Sequence, residues 1–456
     1  MKKLPVYLFI ASILIFLLLK ATNLGIRLSD TNIYFYTADA MLHGKILYRD
    51  IFFTNFPLFP YVSMLYVTLT GGNLPLFYFT APLEAVLVSC FIFFIVKDGT
   101  KNLWFSFLSA FAYLFSFMVL STTDHQTGVF LTSLFAISSY YLFKRKRMFP
   151  SGVLLALTLL TKAYFLPVFI ALLAVVLLRQ RRSIMNFFLG IISGAGVVLL
   201  PSLFLAPQGL FKDVFLYSLT RSQGLSKPEI GWFFVTHDLI LFIFLLYSIL
   251  MIRKNLFLGA LSLSGIVFFL LYKDVYYLYL NFLPPFLVLA LPDLITDLKE
   301  RGVQQMIVPT LIALLVGVSV VIYVSSYRSL GNVPEIGTIV SRIESLHPAV
   351  LYGTNDITPA LSYMTGIPLL NGIIDTNANI FRKGYLNATR MTKDAALQHA
   401  VLITHGAYYP GVLNNMLIDE IFNKQLVAKA CRLIKAYPVR AEGLTNRIAL
   451  YDCRGK

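Results

Sequence analysis

A chain of 456 residues in which 57% of side chains are hydrophobic and only 13% are charged is not an ordinary soluble protein, which carries about 25% charged residues. The net charge of +16 does not call for a nucleic acid partner, because a polytopic membrane protein concentrates Lys and Arg in its cytoplasmic loops. The class expected is an α-helical polytopic membrane protein with the lipid bilayer as its surroundings.

The first apolar segment, "LPVYLFIASILIFLLL" (Leu4–Leu19), follows Lys2 and Lys3. A secretory signal peptide is the rival reading, but no small-x-small cleavage site follows cleanly, so an uncleaved first span is expected. Next comes a polar stretch, "RLSDTNIYFYTADAMLHGKILYRD" (Arg27–Asp50). Ser29 and Asp30 mark a helix start, Ile33, Tyr36, Ala40 and Met41 recur at helical spacing, and Gly44 can stop the helix. "PLFPYVSMLYVTLT" (Pro57–Thr70) is apolar but short, carries two prolines, Pro57 and Pro60, and fits an interfacial or re-entrant helix. Further spans are expected at Leu74–Val96, Leu103–Leu120, Thr127–Phe143, Phe149–Leu160, Tyr164–Leu178, Ile184–Leu205, Leu239–Ile252, Leu256–Tyr272, Tyr276–Pro292 and Met306–Val324, which makes about 11 in all.

The basic clusters set the sidedness. If Pro57–Thr70 does not cross, then Lys97/Lys101, Lys144–Arg147, Arg179–Arg182, Arg253/Lys254 and Lys299/Arg301 all fall on the side of Lys2 and Lys3, as the positive-inside rule requires. The N-terminus is then cytoplasmic. The first outer loop (21–73), "STTDHQ" (Ser121–Gln126), Lys162, the loop Ala206–Thr236, "YKDVYY" (Tyr272–Tyr277) and the tail lie outside. The tail, 325–456, alternates strand-length runs ("AVLYG", "AVLIT", "RIALYD") with helix-like stretches ("DITPALSYMTG", "MTKDAALQHA", "LIDEIFNKQLVAKA"). It reads as a small extracytoplasmic α/β domain behind a membrane domain at 1–324. Cys431 and Cys453 in that tail can form a disulfide in an oxidising compartment.

Polar chemistry is therefore gathered on the outer face. Asp30 stands in the first loop with Asp39, Tyr48 and Asp50. As a helix-starting residue it can be a cap and nothing more. Asp124 and His125 occupy a tight outer turn. Lys162 sits between two spans, and Arg221 lies in the long loop near Lys227 and Trp232. Glu84, inside a span, is either functional or paired with a neighbouring helix. Carboxylates and isolated cations at an outer membrane surface suit transfer of a sugar from a polyprenyl phosphate to a hydroxyl. The acceptor proton needs a base, while the phosphate leaving group needs only positive charge. A glycoside hydrolase would need a second carboxyl group as partner.

The stretch "SDTNIYFYTADAMLHGKILYRDIFFTNFPLFPYVSMLY" resembles the first outer loop of GT-C superfamily membrane glycosyltransferases, among them the dolichyl-phosphate-mannose protein mannosyltransferase-like and aminoarabinose transferase-like families. Asp30, Tyr34, Ala38, Gly44, Tyr48 and "FPLFP" carry the match. "GVLLALTLLTKAYFLP" resembles the family's span ending in Thr-Lys, and "YYLYLNFLPPFLVLA" its late Tyr-to-Pro span. The resemblance covers most of residues 1–300, with a looser echo in "YGTNDITPALSYMTGIPLL". It implies a polyprenyl-phosphate sugar donor, Asp30 as the catalytic base, Asp124 as the second-loop acid, and Lys162 near the carrier phosphate. Tyr34, His125 and Arg221 are substrate-binding candidates, as is Lys273, which stands where many members have Arg. Thr31 departs from the family's common Asp-Glu pair. The acceptor is a glycan, a lipid or a protein. Outer carboxylates can bind a divalent cation, although no spacing demands one. The competing reading is a transporter or flippase of lipid-linked saccharides, which would place ionisable groups near the bilayer midplane; only Glu84 clearly does so.

Overall fold

The computed structural model describes residues 3–220, 224–302, 307–406, 430–439 and 446–453. The chain begins with α1 (Leu4–Ala21), a helix with Pro5 in its first turn, where the missing N–H costs nothing. Two short helices follow, α2 (Thr31–Leu42) and α3 (Leu58–Leu69), and then the long α4 (Leu74–Thr100). Gly44 closes α2 with φ of 89°, a left-handed conformation that glycine adopts without strain. α3 has 12 residues. At 1.5 Å per residue it is about 18 Å long, too short for a hydrocarbon core of about 30 Å, and it packs beside α2 rather than crossing alone.

The remaining membrane helices are α5 (Leu103–Leu114) with its continuation α6 (Phe117–Thr122), α7 (Val129–Lys144), α8 (Met148–Thr161), α9 (Leu166–Arg179) and α10 (Ile184–Leu205). After the long outer loop come α11 (Lys227–His237), α12 (Leu239–Leu250), α13 (Leu256–Leu271), α14 (Leu291–Glu300) and α15 (Ile307–Ile322). Among the described residues, five helical stretches are long and apolar enough to span a membrane. The α11–α12 pair is bent by 105° and makes a sixth if it is one broken span, and besides α3 there are five shorter apolar helices. Most of these fall where the hydropathy of the sequence expects spans; α11 instead lies within the stretch expected as the loop Ala206–Thr236.

The differences are local. The span expected at Leu103–Leu120 breaks at Phe115–Ser116, where the buried carboxylate of Asp238 accepts from the backbone N–H groups of Phe117 (2.9 Å) and Met118 (2.6 Å). An acid borrowed from the α11–α12 bend thus satisfies the free N–H groups at the start of α6, which a helix cannot satisfy itself. The span expected at Tyr276–Pro292 starts as 3-10 turns over Tyr277–Phe282 and runs on to Glu300. α15 continues through a π-helical turn, Tyr323–Tyr327, beyond the expected end at Val324.

The helix ends sort into two groups. At one end Arg145, after α7, pairs with Asp98 of α4, and Lys254, after α12, pairs with Asp297 of α14 at 3.0 Å. The opposite end carries the first loop, the turn after α6, the turn after α8 and the tail.

In the tail, α16 (Ile336–Ser345), α17 (Thr358–Thr365) and α18 (Ala388–Leu397) accompany a four-stranded sheet of order β1-β2-β4-β3. β1 (Leu351–Gly353) and β2 (Val401–Gly406) are parallel, while β4 (Asn446–Asp452) pairs antiparallel with both β2 and β3 (Arg432–Val439). β3, "RLIKAYPV", was not expected, because its exposed and buried positions do not alternate cleanly. Most of the helix expected over "LIDEIFNKQLVAKA" lies outside the described residues. Cys431 and Cys453 form a disulfide. The tail rests on the first loop: Leu28 N–H donates to Gly331 O (2.9 Å), Val333 N–H to Ile26 O (3.0 Å), and the Phe35 and Tyr363 rings meet edge to face at 4.7 Å.

Candidate active site

Asp30 precedes the first turn of α2 in helical conformation (φ −58°, ψ −16°), and its side chain makes no capping hydrogen bond. The reading of Asp30 as a simple cap is therefore not what the geometry gives. Ser29 supplies that bond instead, its Oγ accepting from Thr31 N–H at 3.1 Å. Asp30 is exposed while Ser29, Thr31, Asn32, Ile33 and Tyr34 around it are buried, so the carboxylate projects from an otherwise packed turn.

Tyr34 follows Asp30 by four residues and so shares its face of the helix. The Lys162 ammonium donates to the Tyr34 hydroxyl at 2.8 Å and lies 4.7 Å from the centre of that ring and 5.8 Å from that of Phe59. Lys162 occupies the extended residue that ends α8 before a 3-10 turn leads into α9, so the reversal between the two helices places it at the end of the bundle that carries the first loop. It is only 6% exposed. A cation in that position, backed by aromatic faces, is held rather than solvated.

His125 joins the group from the turn after α6, its Nδ1 2.9 Å from Ser29 Oγ. Burial first, and Arg27 next, push its pKa from 6.5 down to about 4, so the imidazole is neutral at neutral pH. Asp124, one residue earlier, belongs to a different cluster. It accepts from Lys20 (2.9 Å) and from Tyr323 (2.9 and 3.0 Å), and Arg27 lies 3.7 Å away. Lys20 also donates to Leu120 O and to Tyr323. Asp124 therefore ties together the ends of α1, α6 and α15 through these donors.

Lys273 is exposed in the outer turn. Its carbonyl accepts from Gly224 N–H at 3.0 Å, and among the described residues its side chain makes no hydrogen bond to Asp30, Tyr34 or Lys162. Arg221 lies outside the described residues. Glu84 accepts from Tyr66 (2.7 Å) and from Gln126 (3.1 Å); it links α4 to α3 and to the second outer turn, the structural half of the two readings open for it.

Sequence reasoning passed over several residues. Lys20 ends an apolar helix and Asp238 precedes one, which are signals too ordinary to single out. Asp213, in a π-helical turn at Phe211–Leu216, accepts from Phe53 N–H at 3.3 Å, and burial pushes its pKa up to about 6. Gly209 permits this contact, since a Cβ there would lie 2.0 Å from the Tyr48 carbonyl oxygen. The long outer loop thus lies against the first. Among the described residues, no three His, Cys, Asp or Glu side chains cluster as a metal site.

The apolar helices and the small sheet-bearing tail together define a polytopic α-helical membrane protein. The crystal structure of ArnT from Cupriavidus metallidurans bound to undecaprenyl phosphate is similar over 99% of this chain and 98% of that one, with a TM-score of 0.61 and 13% sequence identity. No protein-family model matches the chain, and no curated protein does.

Proposed function

We propose that this protein is an integral-membrane glycosyltransferase that moves a sugar from a polyprenyl-phosphate donor to an acceptor hydroxyl on the outer face of the membrane. The observation that carries the reading is the convergence of Asp30, Tyr34 and Lys162: an exposed carboxylate one helical turn from a tyrosine that holds a buried ammonium. Likeness to a structure whose partner is undecaprenyl phosphate supports the donor class.

In this mechanism the acceptor oxygen attacks the sugar's anomeric carbon while the bond from that carbon to the phosphate oxygen breaks. Asp30 takes the acceptor's proton, as a carboxylate within reach can. The electron pair leaves on the phosphate, and Lys162 offsets the charge that develops there. Tyr34 orients Lys162. Neutral His125 supports Ser29 beside the base and adds no positive charge that would weaken it. The acceptor is a glycan, lipid or protein hydroxyl. A cytoplasmic N-terminus and an extracytoplasmic tail agree with the gathering of the basic turns at one end, and with a disulfide in the tail.

The test is radiolabel transfer in sealed vesicles loaded with a polyprenyl-phosphate sugar. The expected result is label in a new glycosidic product that disappears in Asp30→Asn. Label that only changes sides, with no new product, would make the protein a transporter and overturn the reading.

A further inference from the structure

The polypeptide on either side of Asp30 is held by one oxygen atom of the tail domain. The backbone carbonyl of Asp356 accepts from Ser29 N–H at 3.0 Å and from Asn32 Nδ2 at 2.5 Å. These donors lie one residue before Asp30 and two after it. Asn32 is fully buried and fixed from two further directions. Its Nδ2 also donates to Arg27 O at 2.9 Å, and its Oδ1 accepts from Tyr78 of α4 at 2.9 Å. The turn that carries the exposed carboxylate is thus clamped between α4 and the loop after β1.

What fixes Asp356 is His405. Asp356 lies in the short loop between β1 and α17, and His405 stands near the end of β2, the parallel neighbour of β1. The imidazole Nδ1 is 2.5 Å from Asp356 Oδ2, and His405 is 3% exposed. Among the described residues the other ring nitrogen, Nε2, makes no hydrogen bond, so Asp356 is the one hydrogen-bonded anchor of the ring among them. Burial alone would raise the Asp356 pKa, but the charge of His405 and its hydrogen bond outweigh this and hold the carboxyl below its ordinary range. Among the described residues, neither side chain hydrogen-bonds to that of Asp30.

We propose that Asp356 and His405 are positioning residues: the pair sets the position of the Asp356 carbonyl, and through Ser29 and Asn32 that carbonyl sets the aim of the Asp30 carboxylate. The inference rests on the reading of Asp30 as the base. It gives the tail domain a part in the reaction, since a reacting group displaced by about 1 Å loses roughly 100-fold in rate.

Full-length protein in detergent carries the test, with three variants beside wild type: His405→Ala, His405→Asn, which returns a side-chain N–H near the Nδ1 position, and Asp356→Asn, which keeps the carbonyl and weakens the pair. Three quantities are read: hydrogen–deuterium exchange of the segment 29–33, binding of undecaprenyl phosphate, and transfer of label from a polyprenyl-phosphate sugar at saturating donor. The expected result for His405→Ala is faster exchange over 29–33, transfer reduced about 10- to 100-fold, undecaprenyl phosphate affinity within about twofold of wild type, and partial rescue by His405→Asn. If His405→Ala does not fold, Asp356→Asn is expected to show the same pattern in weaker form. Unchanged exchange together with transfer within about twofold in the folded variants overturns the proposal. Exchange is read without turnover, so the two ideas can fail separately. Faster exchange with an active Asp30→Asn enzyme would remove Asp30 as base yet leave the clamp. Unchanged exchange with an inactive Asp30→Asn enzyme would remove the clamp and leave the base.

Discussion

Asp30→Asn keeps the size of the side chain and loses the proton acceptor. On the proposed function, and since the side chain does not cap α2, the substitution is expected to leave binding of a polyprenyl-phosphate donor near wild type while transfer falls by roughly 10²–10⁴. Normal turnover in this variant would move the base elsewhere. Lys162→Ala removes the ammonium from a pocket of aromatic rings. It is expected to weaken use of the donor, with Lys162→Arg only partly restoring it, since a planar guanidinium does not replace a point charge in a confined site. Donor kinetics unchanged in the alanine variant would reduce Lys162 to helix packing. His125 supplies a pH signature. Its folded-state pKa, about 4, lies below the ordinary 6.5, so the unfolded chain takes up the proton first. Its contribution to stability is full above about pH 6.5 and is lost as pH falls towards about 4. Thermal unfolding across that window is expected to show a smaller fall for His125→Asn than for wild type; parallel curves would assign the pH dependence to other groups.

At the scale of an element, the break between α5 and α6 shows how much of a membrane helix can depend on a distant side chain. Asp238 replaces the missing first turn of α6, and Tyr277 also donates to it at 3.2 Å. Asp238→Ala leaves buried N–H groups without acceptors, each costing about 1–3 kcal/mol. A lower melting temperature with the rest of the bundle intact is the expected outcome, and a melting temperature equal to wild type would contradict the capping role. Asp124 works in the same way for the outer ends of α1 and α15. Its removal leaves Lys20 buried beside Arg27 without its counter-charge, a change that costs about 3–5 kcal/mol when a buried pair is broken. The expected defect of Asp124→Asn is accordingly in folded yield rather than in the chemistry of the folded fraction.

For the whole molecule, the two ends of the bundle differ in kind. One end gathers short basic turns, and the other gathers the first loop, the second outer turn, Lys162 and the tail. Topology reporters fused at Lys146 and after Lys456 are expected to report opposite sides of the membrane, and a common location for both would break the arrangement of 11 apolar segments. The tail is held to the membrane part chiefly through the first loop, by backbone pairing at Ile26–Leu28 with Gly331–Val333 and by the packing of α17 on α2. Any motion of the tail is therefore felt first at the segment that carries Asp30.

The positions of the membrane helices were legible in the sequence, because a bilayer demands long apolar runs and these are a one-dimensional property. So was the α2 helix, since "SDTNIYFYTADAMLHG" carries its start, its period and its glycine stop in sequence order. The pairing of Tyr34 with Lys162 was legible only as two residues on the same face of the membrane; that they meet at 2.8 Å depends on how α8 turns into α9. The partners of Asp124, Asp238 and Asp356 were not legible at all. Each carboxylate meets groups about 50 to 200 residues away, and nothing local marks an acid that will be buried against such partners. Composition and periodicity determined what crosses the membrane and which face holds the polar groups. Tertiary packing alone decided which of those groups are tied to distant helices, and it brought Lys162 onto the tyrosine one helical turn after Asp30.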